Sequence, residues 1–223
     1  MSLDDESAAD PGTAPPVVRG MLAGMRAAGV DVEAMGLPAG LSDAALAERK
    51  DLIPLDQVVL IWRLGVRQFG RGTLGIHVGA GMPSSTLLEY VAGESPNLQT
   101  SLLQISRYIG LASRNIRWTL RPREPDGLTS FEEQLTYAPD AILPALREFG
   151  VALTASRVRQ WFDRPPREVW FTHPSQGPSD EYARVFGCPV RFERDRVALR
   201  YDDEALATPA RKHDPMLFRL LES

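Results

Sequence analysis

At Asn115 the apolar residues of this chain change period, from helical spacing to strict alternation, and that switch limits what the chain can fold into. Before it, Leu55, Val58, Val59, Trp62, Val66 and Phe69 recur at i, i+3, i+4 and i+7, a broad stripe that Leu60, Ile61 and Leu64 widen. After it, Ile116, Trp118 and Leu120 alternate with Arg117, Thr119 and Arg121, the pattern of a strand with one buried face. Neither kind of apolar surface can bury itself, so a helical half has to meet a sheet-bearing half.

The remaining elements follow from local signals. A first helix is predicted over 17–28, ended by Gly29, and Ser42 caps a short one through Glu48. Pro54 opens the striped helix, and Gly70 and Gly72 stop it. Short helices are expected over 73–80 and 87–92, and Asn97 caps a longer one with Leu98, Leu102, Ile105 and Ile109 inward. Glu124-Pro-Asp-Gly127 is a turn in which proline presets φ and glycine accepts a positive one. A second strand over 128–137 then returns antiparallel. Asp140 is placed to cap a long helix through Phe162, with Leu143, Leu146, Phe149, Leu153 and Trp161 inward, and Pro165-Pro166 ends it. A third strand over 169–172, a helix over 180–186, and a closing hairpin of 190–192 with 197–201 complete the body. Asp214-Pro215 starts a last helix that leads out of it. The expected class is α+β: an N-terminal helical part, then a small antiparallel sheet packed with a long helix and shorter helices. Residues 1–14 read as a loose tail, and 15–223 as a single domain with a helical lobe to about 113 and an α/β lobe from about 114.

Composition excludes several functions. A net charge of −4 argues against nucleic-acid binding by this chain alone, because neutralising phosphates needs a cationic face. Cys188 stands alone, which fits a reducing, cytoplasmic setting. No apolar run approaches the ~18 residues needed to span a bilayer, so no membrane partner is expected. His77, His173 and His213 lack Cys or His partners at ligand spacing, so neither a metal nor another cofactor is expected. Gly75, Gly79 and Gly81 lack the strand and the Lys-Ser/Thr of a phosphate loop, and Ser84-Ser85 lacks a nucleophile frame. Catalysis is therefore not the expectation.

Glu133 is the informative oddity. It shares a strand face with Phe131, Leu135 and Tyr137, and counting from the Pro125-Asp126 turn sets it opposite Trp118. A carboxylate aimed at an apolar layer must find a partner or stay protonated. It either orients a polar or cationic molecule in a pocket, or escapes through a bulge or an arginine salt bridge. Trp62, Tyr90, Tyr108, Trp118 and Trp170 are expected near the junction of the two halves, where an apolar pocket with few polar groups commonly lies. The candidate ligand-binding set is thus Glu133, Trp118, Tyr90, Tyr108, Trp62 and Phe131.

Three blocks of the chain resemble a known family. They are Ile53-Pro-Leu-Asp-Gln-Val through Trp62 with Leu74-Gly-Ile-His-Val-Gly79, then Leu88-Glu-Tyr-Val-Ala-Gly-Glu-Ser-Pro-Asn-Leu98 with Ile105-Ser-Arg-Tyr108, and finally Val169-Trp-Phe-Thr-His-Pro174 with Phe186-Gly-Cys-Pro-Val-Arg-Phe192 and Asp214-Pro215. In this order and spacing they resemble the N-terminal effector-sensing domain of AraC-family transcription regulators. The loop Gly81–Thr86 is more polar than that pattern, and Arg194-Asp195-Arg196 replaces its usual asparagine turn. The resemblance implies a domain that binds a small-molecule effector, apolar or amino-acid-derived. It also implies a homodimer, and a bias on a DNA-binding helix-turn-helix domain outside this sequence, so that DNA is met only through that domain. A small-molecule enzyme with the same pocket and a ligand-free association module are the alternatives.

Overall fold

The computed structural model of the chain describes residues 11–83, 86–135, 144–212 and 214–222. The expected roles of Tyr137, Asp140, Leu143, Ser84, Ser85 and His213 lie outside the described residues.

The first half is helical, as its periodicity predicts. After a two-residue strand β1 (Gly12–Thr13) come α1 (Pro15–Ala27), α2 (Asp43–Glu48), a second short strand β2 (Ile53–Pro54), α3 (Leu55–Phe69), α4 (Leu74–Gly81), α5 (Leu87–Gly93) and α6 (Leu98–Ala112). The caps are where side-chain chemistry puts them. Ser42 accepts from the amide of Ala45 and Asn97 from that of Thr100, while Gly70 ends α3 in the left-handed region. Thr86 and Glu89 form a capping box at the start of α5. Gly12–Thr13, read as part of the tail, instead pairs antiparallel with Ile53–Pro54.

The second half holds β3 (Ile116–Leu120), β4 (Thr129–Leu135), α7 (Pro144–Phe162), β5 (Glu168–Trp170), α8 (Ser179–Phe186), β6 (Val190–Arg191), β7 (Val197–Tyr201), α9 (Asp203–Leu206) and α10 (Pro215–Glu222). The large sheet runs β3-β4-β7-β5-β6. This corrects the expected closing hairpin, because β6 pairs parallel with β5 and does not pair with β7. β7 lies antiparallel between β4 and β5. Every residue of β7 is buried, which suits a central strand and not a hairpin edge. The class is α+β, and the sheet is mixed where a purely antiparallel one was expected.

α4 is the hinge of the packing. Gly75 and Gly79, one helical turn apart, let its backbone settle against α7. A Cβ on Gly75 would run into the carbonyl of Ala145, and one on Gly79 would lie 2.5 Å from the carbonyl oxygen of Phe149. On another side Gly24 of α1 meets Val78, 2.8 Å from where a Cβ would stand. Leu74, Ile76 and Val78 of α4 are fully buried. α7 in turn serves two apolar clusters. Ala145 and Phe149 join the helical one with Val18, Leu22, Ile61 and Trp62. Val151, Ala155, Val158 and Phe162 join the sheet-side one with Phe131, Val169 and Leu199.

Replacing Gly79 with alanine is therefore expected to lower unfolding free energy by about 1–3 kcal/mol through overpacking. Gly81→Ala, at the open end of α4 with nothing near its Cβ direction, is expected to leave stability within about 0.5 kcal/mol. Urea unfolding of the two variants checks this; equal effects would remove the helix contact as the cause.

Candidate functional site: a hollow at the seam of the two halves

Along α7, between the two apolar clusters, lies a partly enclosed hollow of about 120 Å³. α1 contributes Val17 and Met21 to its wall, α3 Val58, α5 Leu88 and Glu89, α6 Ile105 and Ile109, and the sheet Trp118 and Glu133. α7 lines its length with Leu146, Arg147, Phe149, Gly150, Leu153, Arg157 and Trp161. Most of these groups are apolar, so each polar atom among them needs an explanation.

Arg157 has one. Its Nε donates to Glu89 Oε1 at 2.5 Å and its Nη2 to the carbonyl of Met82 at 2.6 Å. The pair ties α7 to α5 and is nearly closed off from solvent. Breaking such a pair on one side strands a buried charge.

Glu133 has none. Register sets it opposite Trp118 on β3 and Val197 on β7, so no bulge turns it away. Its neighbour Glu132 points to the other face of the sheet, where it meets Arg121 and Arg196 at 2.7 and 3.2 Å. Glu133 itself is 5% exposed, it makes no ion pair among the described residues, and its Oε2 has no hydrogen-bond partner. Burial pushes its carboxyl up to about 7, against a downward pull from the charge of Arg147. Its Oε1 stands over Gly150, 2.8 Å from where a side chain there would begin.

A second polar group lies deeper, outside the hollow. Glu148 of α7 is fully buried and accepts from the Tyr182 hydroxyl, and burial pushes its carboxyl up to about 8. His173 Nε2 is 3.9 Å from Glu148, and desolvation holds the ring's pKa down. His77 bonds Glu181 at 2.5 Å, bridging α4 to α8. These contacts stitch helices together. Cys188 is buried and its thiol is pushed up to about 12, which makes it unreactive. Among the described residues, no group of three or more His, Cys, Asp or Glu is arranged to hold a metal, and no helix is long and apolar enough to cross a membrane.

Residues 29–210 match the family model described as the arabinose-binding domain of AraC transcription regulators, N-terminal. That stretch is most of the chain. The chain belongs to this family of AraC regulator domains. Among solved structures, the fold is similar to that of the transcriptional regulator CdpR from Pseudomonas aeruginosa, with a TM-score of 0.58 at 14% identity. The likeness covers 72% of this chain and 53% of that one, so it spans about half the length of the CdpR chain. No curated protein matches the sequence.

Within this AraC-type domain the candidate residues separate. Trp118 and Glu133 line the hollow. Phe131 sits behind it, fully buried and stacked on Trp118 at 4.7 Å. Trp62 is fully buried in the helical cluster against Phe149, one side chain away from the hollow. Tyr90 does not join the set: α5 turns Leu88, Val91 and Ala92 inward, which leaves Tyr90 62% exposed. Tyr108 also stands outside, half-buried on α6 with the guanidinium of Arg107 over its ring. Trp170 lies on the far side of the sheet among Arg194, Arg196 and Arg200. Arg147, Arg157, Glu89 and Asn115, which also line the hollow, were not singled out as site residues from sequence. A signal existed for Arg157, which falls between Leu153 and Trp161 on the stripe assigned inward.

The raised carboxyl of Glu133 has a sign in stability. Between pH 4.5 and about 7 the unfolded chain gives up this proton while the folded one keeps it, so stability falls as pH rises through that window. Glu133→Gln removes that loss. The variant is expected to match wild type near pH 4.5 and to exceed it by on the order of 3 kcal/mol above pH 7, read from urea midpoints at both pH values.

Proposed function

We propose that the chain is the effector-sensing part of a transcription regulator, with the seam hollow as its effector site. The observation that carries this is the unmatched Glu133 carboxyl facing an otherwise apolar hollow. A core selected only for stability gains nothing from a buried acid without a partner, whereas a receptor needs a polar group to orient its guest.

A route to the outside supports the same reading. α5 forms one wall of the hollow through Leu88 and Glu89. Its far end meets the start of α10, where the Asp214 amide donates to Glu94 Oε2 at 2.9 Å. An effector that favours one setting of α5 over another would thereby bias α10, and with it a DNA-binding domain attached beyond. Pairing of two copies, which the family resemblance implies, belongs to this proposal as a second means of passing the signal on. The sugar in the family's name does not make arabinose the effector of this chain.

A thermal-shift screen of molecules with up to about ten heavy atoms tests the site. A true effector at a hundred times its dissociation constant adds about 2.7 kcal/mol to the folded state and raises Tm. Ala112, the last residue of α6, also lines the hollow, and Ala112→Leu, which extends a side chain into it without adding charge, is expected to abolish that rise. Absence of any binder, or binders indifferent to Ala112→Leu, would contradict the assignment.

A further inference from the structure

We propose that the guest of the seam hollow is a small protonated amine, its nitrogen held at Glu133 and its apolar body lying against Trp118, Leu88 and Phe149. This rests on the sensor reading and adds the chemistry of the ligand.

The unmatched atoms of the hollow point to it. Two of its polar side chains keep a buried oxygen without a partner: Glu133 through Oε2 and Asn115 through Oδ1. Asn115 is 3% exposed, and its amide nitrogen is already committed to the Thr13 hydroxyl at 3.2 Å. With Glu133 ionised both orphans are acceptors, and what is missing is donors. An ammonium brings three donors and no acceptor, while a carboxylate brings acceptors only and would leave both oxygens unmatched. Arg157 does not fill the gap, since it spends Nε on Glu89 and Nη2 on Met82, and Arg147, though its charge is felt at Glu133, leaves Oε2 without a hydrogen bond.

Strand geometry separates the two oxygens. Asn115 is three residues along from Trp118, the cross-strand partner of Glu133, and that corresponds to roughly 10 Å of strand. One nitrogen does not reach both. The charge at Glu133 decides where the ammonium sits, and Asn115 marks the other end, where a second donor such as a hydroxyl would be taken. Size sets the body. A hollow of about 120 Å³ is close to engineered apolar cavities of about 150 Å³ that hold benzene. A ring or short branched chain fills it.

The groups around Glu133 are consistent with an anion forming there on binding. β3 presents Trp118, β7 presents Val197, and α7 presents Gly150 and Arg147. Arg147 is the charged group among them and favours the ionised carboxylate. It is partly exposed, so its repulsion of an incoming cation is screened by water. The Glu89–Arg157 pair, further along the wall, contributes little net charge.

Benzylamine, benzyl alcohol and benzoate share one ring and differ in the head group, and calorimetric titration of each into the wild-type protein makes the test. Benzylamine is expected to bind at least about tenfold more tightly than the alcohol, a factor that corresponds to about 1.4 kcal/mol. Its affinity is expected to fall by about tenfold from pH 8 to pH 6, as protons compete for Glu133. Glu133→Gln should bring benzylamine down to the level of the alcohol, while the folded state of that variant is confirmed by its urea transition. Benzoate binding more tightly than benzylamine would overturn the proposal and move the head group to Arg147. Equal binding of amine and alcohol, with no change in Glu133→Gln, would overturn it too. In either case binding that Ala112→Leu abolishes leaves the sensor site intact. If all three fail while the library screen yields binders without a basic nitrogen, the amine is wrong and the site is right. If nothing binds, the sensor reading itself falls.

Discussion

The close approach of α4 and α7 is the constraint on which the rest of the structure depends. Without side chains at Gly75 and Gly79, the two helix backbones meet directly, and α7 is drawn into the middle of the protein. A helix so placed touches the helical cluster on one side and the sheet on the other. Two apolar layers built on one rod do not close perfectly along it, and the gap that remains is the hollow. The same burial explains why polar residues of α7 are expensive: Glu148 needs Tyr182, and Arg157 needs both Glu89 and the Met82 carbonyl.

Set beside these matched groups, Glu133 is the exception. Alternation along β4 sends Glu132 to arginines on the outer face and Glu133 inward, to a place with no counterpart. The sheet cannot relieve this by slipping, because a one-residue shift would also expose Phe131 and bury Glu132 beside Trp118. The cost is carried as a carboxyl pushed up to about 7 by burial. On the proposed sensing role such a cost has a use, since it keeps a polar contact open for an incoming molecule.

Much of this was legible in the sequence, for local reasons. Ser42, Asn97, Gly29 and Gly70 end or begin helices through their own side-chain or backbone chemistry, and each helix runs within a few residues of where those signals set it. The Pro125-Asp126 turn and the alternation around it sufficed to set Glu133 opposite Trp118. What escaped depended on distant partners. The place of β7 at the centre of the sheet is set by β4 and β5, not by its neighbour β6. Tyr90 has the composition of a pocket residue, but a seven-residue helix with Leu88 and Val91 inward has no room to turn it in. Gly75 and Gly79 were legible only as the lack of a phosphate loop, because glycines that serve helix contact declare themselves through the partner helix.

The most direct measurement is a nuclear magnetic resonance titration of the Glu133 side-chain carboxyl carbon in the unliganded protein, assigned by comparison with Glu133→Gln. A buried acid facing an apolar hollow is expected to titrate with a midpoint near 7. A midpoint near the ordinary glutamate value of about 4.3 would place that carboxyl in water or against a partner, and the proposed effector site would lose the unmatched acid on which it rests.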